Sequence, residues 1–171
     1  MDQYQERYLA HQQKKKVQLI EIIKTRHSDR IFSDKEIELD SIHKIMDSLE
    51  YIPSSCNRKG VYTRLIEFRD NKELLGGLLV GGVGWVHRAN KIFLIIADGL
   101  AYKEGVGYMP YLDAGFIASN IWMTCTELGI QACFVNPNVR EANKEFFRET
   151  FLRPSDIFCG AMALGYKEGV K

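Results

Sequence analysis

The sequence predicts an α+β fold, a single domain in which helices surround one central sheet. Apolar residues recur at helical spacing at 17–24 and 42–49, and after that short apolar runs with the character of strands alternate with helical segments. The 171 residues are the usual length of one domain, and the chain shows no internal repeat, low-complexity tract or linker. We therefore expect one domain over residues 17–171, preceded by a polar helical extension at residues 1–16.

Apolar spacing predicts the first helices. Residues 17–24 place apolar side chains on one helical face, and this helix should end before the polar stretch at 27–29. Ser33 and Glu36 fit a capping box, in which both side chains bond backbone N–H groups at the start of a helix. Four apolar residues repeat behind it at helical spacing: Ile42, Ile45, Met46 and Leu49.

The rest of the chain alternates between strands and helices. Residues 91–97 form a continuous apolar run, as expected of a central strand buried on both faces. The residues from Pro53 to Asn57 must form a turn or loop. The other expected elements are strands at 62–69, 131–135 and 157–166 and helices at 72–80, 108–128 and 139–150.

The helix at 108–128 is apolar nearly all round and should end near Gly129. A helix of this kind must be buried on every side. In a chain of 171 residues, burial between two subunits is a natural way to achieve this. The pattern therefore predicts a homodimer.

Charge and composition argue against several classes of protein. The 23 basic and 22 acidic residues leave a formal charge of +1, which gives no global attraction to nucleic acid or membrane. The basic run at 14–16 is short and is typical of a solvated helix face. No stretch reaches the ~18 apolar residues that span a bilayer, and the polar N-terminus lacks the apolar core of a signal peptide. We expect a cytoplasmic protein with reduced thiols, and neither nucleic acid nor membrane as a partner.

The sequence carries no side-chain motif for catalysis or metal binding. The four cysteines are widely separated, and the four histidines lack a spacing that would bring two onto one metal. The glycine-rich stretch at 76–84 lacks the dinucleotide and Walker fingerprints, so flexible turns are the better interpretation. No G-x-S-x-G motif occurs either. A bound cofactor would supply the chemistry that these side chains lack.

The segment from Arg26 to Arg30 contains the residue types that bind phosphate. If the chain is extended there, Arg26, Ser28 and Arg30 project to the same side over about 13 Å. Arginine offers a planar fork of donors that suits phosphate oxygens, and serine adds a neutral donor. A helix C-terminus that favours cations, followed by a polar linker, explains the same residues equally well. The spacing does not decide between the two interpretations.

Four segments in order resemble the nitroreductase family of FMN proteins. Residues 25–37 resemble its N-terminal signature, with an R-[RH]-S-x-[RK] pattern at 26–30, and residues 53–58 resemble its P-S-[SA]-x-N loop. Residues 111–135 are similar to the family's long helix and following strand, and residues 163–166 match its closing strand and turn.

The resemblance implies a central mixed β-sheet flanked by helices, and an intertwined homodimer that forms two FMN sites between its subunits. The residues that would hold the FMN phosphate and ribityl end are Arg26, His27, Ser28 and Arg30. The residues that would approach the flavin ring or its tail, in that family usually from the partner subunit, are Pro53, Ser54, Ser55 and Asn57. The turn at Asn136 and Pro137 would lie near flavin N5 and O4.

The activity that the resemblance implies is hydride transfer from NADH or NADPH, through flavin N5, to a nitroaromatic, quinone or similar small acceptor. No acid or base from the protein is strictly needed. A cation near flavin N1 and O2 raises the reduction potential. Arg58 or Lys59 could be that cation, and an exposed loop charge is the alternative for both.

Three features depart from the family pattern. Residues 59–61 read Lys-Gly-Val where Q-P-W is common, the chain ends at Lys171 soon after the closing strand, and about fifty residues separate Asn57 from Tyr108. The short middle predicts an open, promiscuous site or one that binds something large. The first two departures motivate a second hypothesis, a degenerate flavin-binding protein with a binding or regulatory role and little turnover.

Overall fold

The computed structural model describes residues 19–102 and 106–169. The polar extension expected at 1–16 lies outside these residues, as does the start of the first expected helix. The described part of the chain contains five helices, α1 (Leu19–Thr25), α2 (Leu39–Leu49), α3 (Arg69–Leu78), α4 (Met109–Glu127) and α5 (Lys144–Phe151), and four strands, β1 (Val61–Ile66), β2 (Lys91–Asp98), β3 (Gln131–Val135) and β4 (Asp156–Gly165). The α+β class predicted from the sequence is confirmed.

The strands form one sheet in the order β1-β2-β4-β3, and each neighbouring pair is antiparallel. The sheet that the resemblance implied to be mixed is thus antiparallel in its four strands. A parallel component enters through an isolated bridge between Ser28 and Ala132 of β3. Because β3 is at the edge of the sheet, its outer side is open to pairing of this kind.

The central strand β2 separates two hydrophobic cores, because its side chains alternate between the faces of the sheet. One core lies between the sheet, α2 and α4 and includes Ile45, Phe93, Ile95 and Ile121. The other lies on the opposite face with α3 and α5 and includes Leu75, Ile92, Leu94 and Phe147. Every residue from Ile92 to Ala97 is buried, so the prediction of a strand covered on both faces is confirmed.

The predicted capping box at Ser33 and Glu36 is wrong. The helix behind it begins only at Leu39. Ser33 donates its backbone N–H to the carbonyl of Tyr166 at 2.8 Å, which fastens an extended segment to the end of β4. Glu36 forms an ion pair with Lys91 instead, with 3.2 Å between Oε2 and Nζ. Pairing with the sheet therefore prevails over the local capping pattern.

The remaining predicted elements are present with their ends shifted by a few residues. The helix expected at 139–150 is divided, because a 3-10 turn at Glu141–Asn143 precedes α5. None of the described helices is long and apolar enough to cross a membrane. The described ranges also contain no cluster of three or more His, Cys, Asp or Glu side chains that could hold a metal ion.

The long helix α4 is buried on one side only within a single chain. Ala114, Ile117 and Ile121 pack into the core between this helix and the sheet. Leu112 is 54% exposed and Phe116 is 50% exposed. One chain alone therefore does not provide the burial on every side that the sequence predicted, and an apolar face remains open.

A buried carboxylate links two strands that are not neighbours in the sheet. Asp156, at the start of β4, is 2% exposed and accepts a hydrogen bond of 2.6 Å from the hydroxyl of Tyr62 in β1. Arg153 donates to both carboxylate oxygens and stacks on the Tyr62 ring at 4.9 Å. Burial raises the Asp156 pKa, but the hydrogen bonds from Arg153 and Tyr62 outweigh burial and leave that pKa below its usual value. Burial and the same carboxylate raise the pKa of Tyr62 to about 12.

We expect Tyr62→Phe to lower the free energy of unfolding by about 1.5–3 kcal/mol at pH 7, because a buried charged acceptor loses a donor. The folded-state pKa of Asp156 is depressed, so its contribution is present above about pH 4 and is lost as the pH falls through the lower folded-state value. Urea unfolding from pH 7 downwards measures both effects. Tyr51→Phe is the control, since Tyr51 is 85% exposed. Equal losses for the two variants at pH 7 would contradict the role of Tyr62.

Candidate functional site

The segment that follows α1 is extended and lies beside β3. The helix ends at Thr25, and Ser28 forms the parallel bridge with Ala132. The backbone N–H of Asp29 donates to the carbonyl of Ala132, with 3.4 Å between nitrogen and oxygen. Arg26 still donates its backbone N–H to the carbonyl of Ile22 at 2.9 Å and closes the last turn of α1, whereas Ser28 and Asp29 are held by the edge of the sheet.

Each arginine of this segment lies on a tryptophan ring. The guanidinium carbon of Arg26 is 4.6 Å from the ring centre of Trp122 in α4, and that of Arg30 is 5.6 Å from the ring centre of Trp85. Among the described residues, no carboxylate forms an ion pair with either guanidinium group. Stacking covers the face of a guanidinium and leaves its N–H edge available to an anion.

His27 is turned toward its own segment. Its Nδ1 lies 2.7 Å from the carbonyl oxygen of Thr25, and its Nε2 lies 3.1 Å from Oδ2 of Asp29. Asp29 is the one acid within residues 26–30, and the imidazole lies beside its carboxylate. The side chain of His27 thus contacts Asp29, and its contact with a phosphate remains a prediction.

Ser28 and Arg30 share a neighbour, the thiol of Cys133 in β3. Burial raises the pKa of Cys133, and hydrogen bonds from Arg30 and Ser28 offset part of this rise. Both side chains therefore lie on the same side of the extended segment, in agreement with the alternation expected there. Cys133 itself is buried, with 2% of its surface exposed.

The turn after β3 lies against the glycine-rich stretch. A Cβ atom at Gly81 would lie only 2.9 Å from Nδ2 of Asn136, so these two segments of the chain approach each other closely. Trp85 donates its indole N–H to the carbonyl of Gly81 at 2.9 Å. Because the ring of Trp85 also stacks on Arg30, these contacts join the arginine segment to the turn at Asn136 and Pro137. Sequence analysis interpreted residues 76–84 as flexible turns and did not predict that Gly81 contacts Trp85 and Asn136.

The loop from Pro53 to Asn57 is held by a buried carboxylate of α4. Asp113 is 2% exposed, and both of its oxygens accept the backbone N–H of Ser55 at 3.0 Å. The hydroxyl of Tyr102 donates to the same carboxylate at 2.9 Å. Burial and this hydrogen bond raise the pKa of Tyr102. Asp113 lies in the segment 111–135 that resembles the family's long helix, but sequence analysis gave it no role, because the sequence does not show which loop packs against this helix.

The anchored loop has an unusual backbone. Cys56, Asn57 and Lys59 have φ values of 51°, 53° and 52°. Non-glycine residues rarely adopt this left-handed conformation, which costs on the order of 1–3 kcal/mol per residue in sparsely populated regions. The hydrogen bonds of Asp113 help to hold the loop in this form.

The two cations considered for the flavin ring are bound within this loop. The ammonium of Lys59 donates to the carbonyls of Glu50 and Ile52, at the end of α2. The guanidinium of Arg58 donates to the hydroxyl of Ser55 at 3.1 Å. Both cations therefore make contacts within or next to their own loop, and a position of either one near the flavin ring stays a prediction.

A cavity of about 460 Å³ adjoins the anchored loop. Its mainly apolar walls include Pro53, Ser54, Val61, Asp113 and Ile117. This volume lies in the range of small-molecule sites. A small apolar group therefore fits beside the loop.

The two halves of the predicted site are attached to α4 at different positions. The backbone of Ser55 is held by Asp113. The ring of Trp122 stacks on Arg26, and its indole N–H donates to the carbonyl of His27 at 3.2 Å. Nine residues separate Asp113 from Trp122, which corresponds to about 13 Å along a helix. One chain brings the arginine segment next to the turn after β3, and in the described residues no hydrogen bond joins the anchored loop to either of them.

We expect Asp113→Ala to increase hydrogen exchange at the Ser55 amide about tenfold to a hundredfold, because this amide loses a charged acceptor. Asp113→Asn keeps one acceptor oxygen and should give an intermediate rate. Exchange measured by NMR, with the exposed Asp47→Asn as control, checks the effect. Unchanged protection of Ser55 in both Asp113 variants would show that another contact holds the loop.

The sequence matches no protein-family model, and a search of curated proteins finds no match. Solved structures match over most of both chains. An FMN-dependent nitroreductase from Clostridium difficile R20291 has 23% identity and a TM-score of 0.77, with 89% of this chain and 89% of that chain covered. A nitroreductase family protein from Clostridium novyi NT has 16% identity and a TM-score of 0.78, with 90% and 87% covered.

A third match is a nitroreductase with bound FMN from Bacteroides fragilis NCTC 9343. It has 18% identity and a TM-score of 0.70, with 90% of this chain and 91% of that chain covered. Likeness at these identities establishes the architecture. The chain therefore has the fold of the nitroreductase structures, as the resemblance of its four segments implied.

Proposed function

We propose that this chain is a flavin oxidoreductase that binds FMN, with Arg26, Ser28 and Arg30 at the phosphate. The observation that carries the proposal is the pair of guanidinium groups that stack on indole rings, without a carboxylate partner in the described part of the chain. Two guanidinium groups and a serine hydroxyl are the kinds of donor that phosphate oxygens accept, and the two positive charges match the charge of a phosphate. The fold, which includes FMN-containing structures, supports the same ligand.

The residues of the segment fit the phosphate end of FMN. Arg26 and Arg30 would bind and orient the phosphate, while His27 lies beside the Asp29 carboxylate. When bound, FMN would supply hydride transfer at flavin N5 between NADH or NADPH and a small acceptor such as a nitroaromatic or quinone. The turn at Asn136 and Pro137, next to the arginine segment, would face the flavin ring.

A second copy of this chain would complete the site. The loop that holds Pro53, Ser54, Ser55 and Asn57 stands apart from the arginine segment of its own chain, so the loop of one subunit would serve the arginine segment of the other. Exposed apolar side chains on α1 and α4 would supply the interface, among them Leu19, Ile23, Leu112 and Phe116. Burial of such side chains drives stable association.

A second candidate function is a flavin-binding protein with little turnover. It is favoured by Lys59, whose ammonium is engaged by the carbonyls of Glu50 and Ile52. Without a cation near flavin N1, negative charge on the reduced flavin is stabilised less. Anaerobic titration of the FMN-loaded protein with NADH and NADPH, followed by a panel of acceptors, separates the two functions. Bleaching and recovery of the flavin absorbance support the oxidoreductase, and bound FMN that neither donor reduces supports the second function.

We expect Arg26→Ala to weaken FMN binding about tenfold to a hundredfold, because it removes a charge-assisted contact. Fluorescence titration of FMN measures the dissociation constant. Arg69→Ala is the matched control, since the side chain of Arg69 is 86% exposed and pairs only with Glu73 in the described structure. Equal affinities of Arg26→Ala and the wild type would remove Arg26 from the phosphate site.

We expect Phe116→Glu to convert the dimer to a monomer and to abolish tight FMN binding, because a charge is placed in the apolar interface. Phe146→Glu on α5 is the control, since both phenylalanines are 50% exposed. Sedimentation velocity measures the oligomeric state. A Phe116→Glu protein that remains dimeric, or that binds FMN as a monomer, would contradict the shared site.

A further inference from the structure

The chain has two tryptophans, and each contacts a different arginine of the segment from Arg26 to Arg30. Trp122 belongs to the last third of α4. Trp85 precedes the short 3-10 turn Val86–Arg88. Two elements that are distant in sequence therefore present the same aromatic side chain to the same short segment.

Both indole rings are fixed by hydrogen bonds. The N–H of Trp122 donates to the carbonyl of His27 at 3.2 Å, so this ring also holds the backbone next to Arg26. The N–H of Trp85 donates to the carbonyl of Gly81 at 2.9 Å, and its ring lies 6.5 Å from that of Phe32. A ring that is held at its N–H and its face is a rigid surface for a long, flexible arginine side chain.

We infer that Trp122 and Trp85 are positioning residues of an anion site: each holds the face of one arginine, so that the N–H edges of both guanidinium groups are set before the anion binds. The inference rests on the proposed function, since the anion is the FMN phosphate. A guanidinium donates hydrogen bonds in its own plane, so a stacked face leaves this donor edge unobstructed. Side chains that are already ordered lose less conformational entropy on binding, which strengthens affinity without a new contact to the ligand.

A purely structural role of the tryptophans makes a different prediction. If the rings only support the fold, their removal changes FMN affinity by the same factor whether or not the arginine is present. If each ring acts through its own arginine, its effect disappears once that arginine is absent. The two stacked pairs can be compared with the two crossed pairs, which share no stacking contact.

Double-mutant cycles on the four tryptophan–arginine pairs measure this coupling through FMN dissociation constants. The matched cycles combine Trp122→Phe or Trp122→Leu with Arg26→Ala, and Trp85→Phe or Trp85→Leu with Arg30→Ala. Each Leu variant should bind FMN about two- to fivefold more weakly, as for loss of an exposed cation–π contact, and should have no further effect when its arginine is alanine. The Phe variants keep a ring and should restore part of the affinity. The crossed cycles combine the Trp122 variants with Arg30→Ala and the Trp85 variants with Arg26→Ala. In these cycles the two substitutions should change the dissociation constant by independent factors, so that their effects multiply.

Tryptophan emission tests the stacking without FMN. In Trp85→Phe the sole indole is Trp122, so adding Arg26→Ala should change its emission spectrum and adding Arg30→Ala should not. In Trp122→Phe the sole indole is Trp85, so adding Arg30→Ala should change the emission spectrum and adding Arg26→Ala should not. These spectra use only the conservative Phe background, which covers the case in which a Leu variant does not fold.

The outcomes separate the inference from the proposed function. A wild-type protein that binds no FMN overturns the proposed function, while an arginine-specific emission change would still support the stacked pairs. A protein that binds FMN, but whose matched cycles are multiplicative like the crossed cycles, overturns the positioning role. Emission that is unchanged by either arginine substitution overturns the stacking itself.

Discussion

Asp29 and Ser33 donate their backbone N–H groups to the carbonyls of Ala132 and Tyr166, which lie in β3 and just beyond β4. These bonds fasten the segment between α1 and α2 to two adjacent strands, and they hold it extended where a helix would otherwise be free to continue. The stacked arginines depend on this constraint. An extended chain along the edge of β3 places Arg26 at α4 and Arg30, four residues later, at the glycine-rich stretch.

Helix α4 is the common support of both halves of the site. Near its start, Asp113 holds the loop of Ser55, and near its end Trp122 holds the arginine segment. Among the described residues, two carboxylates are buried, Asp113 and Asp156. Asp156 is paired with Arg153, whereas Asp113 accepts hydrogen bonds from the backbone N–H of Ser55 and from the hydroxyl of Tyr102. Neutral donors can hold a buried carboxylate when several converge on it. The loop and the arginine segment are thus attached to the same helix, whose exposed apolar side chains include Leu112 and Phe116.

Sequence patterns predicted those parts of the fold that local physics determines. The continuous apolar run at 91–97 could only be a strand covered on both faces, and the apolar helix before Gly129 could be recognised from its composition. The capping box at Ser33 failed because its local hydrogen bonds compete with pairing to the sheet, which the sequence does not display. The contacts of Trp85 and Asp113 could not be predicted for the same reason, since each joins elements that only tertiary packing brings together.

The central claim is that the segment from Arg26 to Arg30 recognises a phosphate, and the affinities of the wild-type protein for FMN and for riboflavin test it most directly. Riboflavin has the same ring and ribityl chain but no phosphate. Two charge-assisted arginine contacts predict that FMN binds about a hundredfold more tightly or better. The difference should shrink as salt screens the charges. Equal affinities for the two flavins, unaffected by salt, would contradict the claim.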